Sequence, residues 1–150
     1  MADERPAHPV ALPELAAVAL EQLETEAADY VFGAAGAEET MRANEEAFRR
    51  WRIVPRMLRD VSARDLRVSV LGTEMPAPLG LAPTGAQTIV HPDGELATAR
   101  AAAAVGLPMA VSTVSDHPLE DVAAAADGPK WFQLYWPVNR ELAASLLARA

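Results

Sequence analysis

From Leu79 onward the chain alternates short, uninterrupted apolar runs with longer segments that repeat at helical spacing. The runs are Leu79–Ala82, Pro108–Thr113 and Trp131–Trp136; the segments are Asp93–Val105, Pro118–Ala126 and Asn139 to the last residue. Runs without in/out alternation suit parallel strands covered by helices, and a spacing of roughly 25 residues suits βα units. Asp93 is placed to cap the first helix and Gly106 to stop it. Pro118, with Glu120 and Asp121, starts the second with charges that suit the helix dipole. The third carries Leu142, Leu146 and Leu147 on one face and shows no stop signal before Ala150.

Upstream the pattern is different. Leu15, Val18, Leu23, Ala27, Tyr30 and Val31 recur at spacings near three and four, which predicts one amphipathic helix opened by Pro13 and broken at Gly33 and Gly36. A second helix is predicted over Glu38–Trp51, burying Met41, Phe48 and Trp51 and ending before Pro55. Arg67–Leu71 predicts a short strand, Gly72-Thr73 a turn and Met75–Pro78 the return, a hairpin suited to cap something larger. The expected fold class is α/β, an incomplete TIM (β/α)8 barrel. Residues 1–78 form a helical segment and hairpin cap, and residues 79–150 the first three βα units, as one truncated domain. A parallel barrel needs eight strands, so three leave an open edge and a bare apolar face. Each large apolar side chain left in water forgoes about 1.5–3 kcal/mol. The isolated chain is therefore expected to be partly unfolded, oligomeric or aggregation-prone.

Composition narrows the function. Half the residues are apolar, weighted toward Ala, which suits helices packed closely on a sheet. A net charge of −8 leaves no basic stripe for nucleic acid or anionic lipid, and ordinary solubility accounts for it. The absence of cysteine excludes disulfides, thiolate nucleophiles and Cys-based metal sites. The polar start, Met1–Pro9, lacks the apolar core of a signal peptide. No apolar stretch approaches the ~18–20 residues needed to span a bilayer. A cytoplasmic address is expected.

The polar residues with chemical potential gather mainly after the apolar runs, where the loops of a barrel form its active face. Ala82-Pro83-Thr84-Gly85-Ala86-Gln87 offers backbone N–H groups and a hydroxyl, and His91-Pro92-Asp93-Gly94-Glu95 follows it. Val111-Ser112-Thr113 offers hydroxyls at a second strand end. In Phe132-Gln133-Leu134-Tyr135, alternation places Gln133 and Tyr135 on one face. Tyr30 stands at the end of the first helix. Each also has a structural use: Thr84 and Ser112 as strand-end caps, Gln133 and Tyr135 as a satisfied polar layer, Tyr30 as core, His91 as a turn residue. No segment has metal-ligand spacing or a Gly-rich phosphate loop.

The order of these segments carries more than any one of them. Together with Arg42-Ala43-Asn44-Glu45-Glu46-Ala47-Phe48 and Val54-Pro55-Arg56-Met57-Leu58-Arg59-Asp60-Val61-Ser62, the chain from Asp29 to its last residue resembles the FMN-dependent 2-hydroxy-acid oxidising family, of the glycolate oxidase, lactate oxidase and lactate 2-monooxygenase type. The resemblance implies FMN as cofactor and a small, lactate-like 2-hydroxy acid as substrate. It implies that Pro83, Thr84 and Gly85 lie along the flavin and that Ser112 and Gln133 bind its ring. Tyr30 and Tyr135 would hold the substrate, Tyr135 also serving as a catalytic residue, since a phenol can donate to a carboxylate or to the reacting oxygen. Val114 falls where some relatives carry a bulkier aromatic, and Gly33-Ala34-Ala35-Gly36 departs slightly from the usual glycine-rich turn. The family's histidine base, arginine clamp and lysine have no matching segment, and none of His8, His91 and His117 sits in the histidine's context. The chain alone is therefore expected to be an inactive N-terminal portion of an enzyme whose full-length form is a homo-oligomer. The alternatives are a non-catalytic half-barrel completed by a partner chain, and another flavin barrel such as a type 2 isopentenyl-diphosphate isomerase relative.

Overall fold

The computed structural model describes residues 11 and 13–150; the polar start Met1–Pro9, with His8, lies outside the described residues. The chain divides into two compact units, Met1–Arg59 and Asp60–Ala150.

The first unit contains α1 (Glu14–Leu20), α2 (Thr25–Phe32) and α3 (Glu39–Phe48). The single helix expected between Pro13 and Val31 is thus two. The amides of Gln22 and Leu23 both turn back onto the Ala19 carbonyl, and Glu24 is extended before α2 begins. The apolar spacing slips at the same place: Val18 to Leu23 is a step of five, which one helical face cannot carry. The expected burial on α3 also fails. Met41 is half-buried, but Phe48 and Trp51 are 80% and 79% exposed. Between Met41 and Phe48 the positions that should continue the stripe are Asn44 and Glu45, so no apolar face forms.

In the second unit β1 (Val68–Val70) and β2 (Thr73–Met75) pair antiparallel, Val70 opposite Thr73. The turn is Leu71-Gly72, one residue earlier than expected, and both residues have positive φ (50° and 77°). That mirror-image geometry matches the twist of the strands, and Gly72 adopts it without steric cost. The return strand stops at Met75 because Pro76 has no N–H to extend the ladder.

The βα units follow. Leu81 makes a single parallel bridge to Met109, its N–H donating to Pro108 O (2.9 Å) and its carbonyl accepting from Ala110 N (3.0 Å). The expected strand Leu79–Ala82 is cut to this bridge by the prolines that flank it, Pro78 and Pro83. Then come α4 (Gly94–Ala104), β3 (Met109–Ser112), α5 (Leu119–Ala125), β4 (Lys130–Gln133) and α6 (Arg140–Arg149). β3 and β4 are parallel, Val111 beside Phe132 and Ser112 beside Gln133. The predicted strand Trp131–Trp136 ends early because the Tyr135 N–H bonds the Thr113 hydroxyl (2.8 Å) instead of a backbone carbonyl. Among the described residues the strands form two two-stranded sheets, not a closed barrel.

Met109 and Val111 of β3 pack on Ala99 and Ala102 of α4 and on Val122 of α5, with Leu81 and Phe132 at the margin. The alanines let α4 approach the sheet. α4 ends as expected at Gly106 (φ 70°): Leu107 N bonds Ala102 O and Gly106 N bonds Ala103 O, satisfying two carbonyls the helix leaves open. Asp93 does not cap α4, being itself in helical conformation; its carboxylate pairs with Arg100. Asn139 does cap α6, its Oδ1 accepting from Glu141 N (2.9 Å) and Leu142 N (3.2 Å). The hairpin meets the start of β4, where Trp131 Nε1 donates to Thr73 Oγ1 (3.2 Å). The opposite, carboxyl ends of the strands carry the loops with the polar clusters.

Candidate functional site

At the ends of β3 and β4 the register sets Ser112 beside Gln133. Ser112 is buried and Gln133 half-buried. The Ser112 hydroxyl donates to Gln133 Oε1 (3.2 Å) and accepts from Val114 N (3.2 Å). Thr113 N also donates to Gln133 Oε1 (3.4 Å). Because a backbone N–H can only donate, this bond fixes which end of the amide faces β3. The oxygen is turned inward, and no acceptor among the described residues takes the Nε2 hydrogens. Gln133 thus presents a donor held in place at its other end. Thr113 completes the junction, its hydroxyl donating to Gln133 O (2.5 Å) while accepting from Tyr135 N. Tyr135 itself is 62% exposed just beyond β4.

The loop after Leu81 is held against the loop after β3. Ala86, at a positive φ of 51°, donates its N–H to Val114 O (3.1 Å). Gly85 lies so near Val114 that a Cβ there would come within 2.4 Å of its Cγ2 and 2.7 Å of its carbonyl oxygen. Pro83 and Thr84 are exposed beside it. Gln87 is a local brace, its Nε2 donating to Thr84 O (2.9 Å) and its Oε1 accepting from Thr98 Oγ1 (2.6 Å). His91 is a turn residue, its Nδ1 accepting from Asp93 N (3.1 Å). Tyr30 stands on α2 of the first unit, 69% exposed.

Three residues given no role from the sequence join these loops. Asp116 accepts from both the N–H (2.9 Å) and the hydroxyl (2.7 Å) of Thr88. Those two bonds, aided by the nearby His117, hold the Asp116 carboxyl below its usual range. Glu95 is fully buried, its Oε1 accepting from Asp116 N (3.2 Å). One signal could have singled out Glu95: it falls on the same helical stripe as Ala99 and Ala102, where a carboxyl is out of place. Behind the strand ends, Ser112, Ser115, His117, Phe132, Leu146 and Arg149 help line a cavity of about 210 Å³. No cluster of metal-ligating side chains occurs among the described residues, and none of their helices is long and apolar enough to cross a membrane.

Residues 19–150 match the model of the FMN-dependent dehydrogenase family. The chain belongs to that family. It is 43% identical over 143 residues to the L-lactate oxidase of Lysinibacillus sphaericus, covering 95% of this chain and 37% of that protein. It is likewise 43% identical over 141 residues to human 2-hydroxyacid oxidase 2, covering 93% of this chain and 40% of the relative. The crystal structure of a mandelate oxidase superposes with a TM-score of 0.89 at 37% identity, over 95% of this chain and 41% of the other. The chain therefore spans well under half the length of these relatives, and the family resemblance drawn from its motifs holds across nearly all of its own.

Proposed function

We propose that this chain is the N-terminal part of an FMN-dependent L-2-hydroxy-acid oxidoreductase that converts a lactate-like substrate to the 2-oxo acid. Residues 79–150 would supply the first three βα units of a (β/α)8 barrel and residues 1–78 its cap. The observation that carries the reading is the Gln133 amide. Its oxygen is committed to Ser112 and Thr113, which leaves its nitrogen as a rigid donor at a strand end, suited to a carbonyl of a planar ring. Membership of the FMN-dependent dehydrogenase family supports FMN as the owner of that ring.

In this reading Pro83, Thr84 and Gly85 form one wall of the flavin site, and Ser112 and Gln133 bind the ring. FMN held by these residues would supply the two-electron acceptor for the hydride equivalent leaving the substrate α-carbon. Tyr30 and Tyr135 bind the substrate through their phenol hydroxyls, Tyr30 at the carboxylate and Tyr135 close to the reacting oxygen. The Thr113 hydroxyl fixes the backbone from which Tyr135 projects. The proton-accepting base, the arginine clamp and the phosphate site are assigned to no residue of this chain, so the 150 residues alone are expected to be inactive. The whole enzyme is read as a cytoplasmic homo-oligomer.

The test is the protein expressed at the full length its gene encodes. It should purify yellow, and anaerobic L-lactate should bleach its flavin. Tyr135→Phe should slow that reduction by roughly 10²-fold. Tyr30→Phe should mainly raise the lactate concentration required. A protein that binds no FMN, or one in which both variants reduce at the wild-type rate, would overturn the assignment.

A further inference from the structure

We infer that Glu95, acting through Asp116 and Thr88, is a positioning residue for the flavin site: it clasps the loop after β3 to the loop after Leu81 and so fixes the wall that carries Gly85, Ser112 and Val114. The inference rests on the reading of those loops as the flavin site.

A buried carboxyl is costly unless it is hydrogen-bonded, and a position needed only for packing is filled more cheaply by an apolar side chain. Glu95 is fully buried at the start of α4, yet it lies on the stripe that Ala99 and Ala102 continue. Its Oε1 holds Asp116 N at 3.2 Å, while its Oε2 has no hydrogen-bond partner among the described residues. Ser115 Oγ and His117 Nε2, on either side of Asp116, are also buried without partners among the described residues. Three buried polar atoms gathered around one bond mark a place filled for arrangement rather than for apolar packing.

What is arranged is the distance between two loops. Asp116 passes the link on to Thr88, which it holds by two bonds. Beside this, Gly94 (φ 42°) brings Thr88 and His117 together, since a Cβ there would lie 3.1 Å from Thr88 Cγ2 and 3.5 Å from His117 Cδ2. At the far end Ala86, in a left-handed conformation unfavourable for alanine, bonds Val114 O, and Gly85 touches Val114 with no room to spare. Losing the Glu95 end frees Asp116, then Thr88, and relaxes the Gly85–Val114 contact. Among the described residues Glu95 makes no hydrogen bond to those assigned to the flavin, so its effect travels through the clasp.

The experiment measures FMN affinity and the visible flavin absorption band in the full-length protein for Glu95→Ala, Glu95→Gln, Thr88→Val, Ala99→Gly and Gln133→Ala. Glu95→Ala should weaken FMN binding by about tenfold and alter the band, because one buried bond and the order it imposes are lost. Glu95→Gln keeps an acceptor for Asp116 N and should restore most of both. Ala99→Gly destabilises the same helix away from the clasp and should lower the melting temperature with the band unchanged. If Glu95→Ala does not fold, Thr88→Val, at an exposed residue, decides with a shift of a few fold in the same direction. Wild-type affinity and band in the clasp variants, or an equal change in Ala99→Gly, would overturn the clasp while Gln133→Ala still reports on the flavin site. No effect of Gln133→Ala would overturn the site reading, and the clasp with it.

Discussion

In the second unit Met109, Val111 and Val122 are nearly inaccessible, each 4% exposed or less, whereas in the first Phe48, Trp51 and Ile53 are 79–96% exposed. Both regions carry large apolar side chains at sufficient density. The difference is that β3 and β4 form a paired surface onto which α4 and α5 can lay their small residues, while α3 has charged and amide groups interrupting its only candidate stripe. In the first unit only the small Ala27 and Ala28 are buried, so large apolar side chains become core where backbone pairing supplies a platform. Helix termini do not follow that division, since α4 and α5 lack a side-chain N-cap bond as the helices of the first unit do. Among the described helices only α6 has a side-chain N-cap bond, from Asn139.

The widest gap between the two regions should appear on truncation of apolar side chains. Met109→Ala leaves a cavity in a closed core and should cost about 2–5 kcal/mol. Phe48→Ala should stay within about 0.5 kcal/mol, as expected at an exposed site. Denaturant unfolding, with hydrogen exchange to assign the affected segment, checks both. A large loss for Phe48→Ala would show that the first unit buries its aromatics after all. The glycines sharpen the point. Gly85→Ala must displace the Val114 backbone and should cost about 1–3 kcal/mol, with weaker flavin binding. Gly36→Ala, at φ 59° with no described residue within 4 Å of the added Cβ, meets only conformational strain, about 1 kcal/mol.

Caps should follow next in size. Asn139→Ala removes the acceptor for two amides and should lower the protection of α6 by about 1 kcal/mol. Glu24→Ala, where no cap bond exists, should change α2 by a few tenths at most. Equal effects would mean that the Asn139 cap adds nothing to α6.

How much of this was legible in the sequence follows the same division. The helices after each apolar run, the Gly106 stop and the Asn139 start were readable because each is set by residues adjacent in the chain. The break at Gln22–Glu24 is hidden in the sequence, since no Gly or Pro marks it and only a slip in phase betrays it. The hairpin turn falls one residue earlier than the sequence predicts because Gly72 is the second of its two left-handed residues, not the first. Ser112 and Gln133 could be chosen from the ends of two apolar runs, and their register then brings them together. The clasp of Glu95, Asp116 and Thr88 was invisible because its partners lie 21 and 28 residues apart and no periodicity links them.

The smallest expected effect concerns charge, and it too separates the units. Arg149 grips Glu120 through two bonds of 2.7 and 2.8 Å, joining α6 to α5. In the first unit Arg42 meets Glu38 at a single 3.7 Å contact within one helical turn. The Arg149 hydrogen bonds pull the Glu120 carboxyl from 4.5 to about 2 and push the Arg149 guanidinium up. A carboxyl whose folded value is depressed binds its proton more weakly than in the unfolded chain, so its contribution is fully present above about pH 4.5 and fades toward pH 2. Hydrogen exchange at the end of α6 should therefore quicken, relative to α3, as pH falls through that window. Both side chains are solvent-exposed, so ~1 M salt should remove most of the difference. Glu120→Gln should abolish the pH dependence. An α6 end that loosens no more than α3 across this range would mean that the bidentate pair holds geometry without contributing stability.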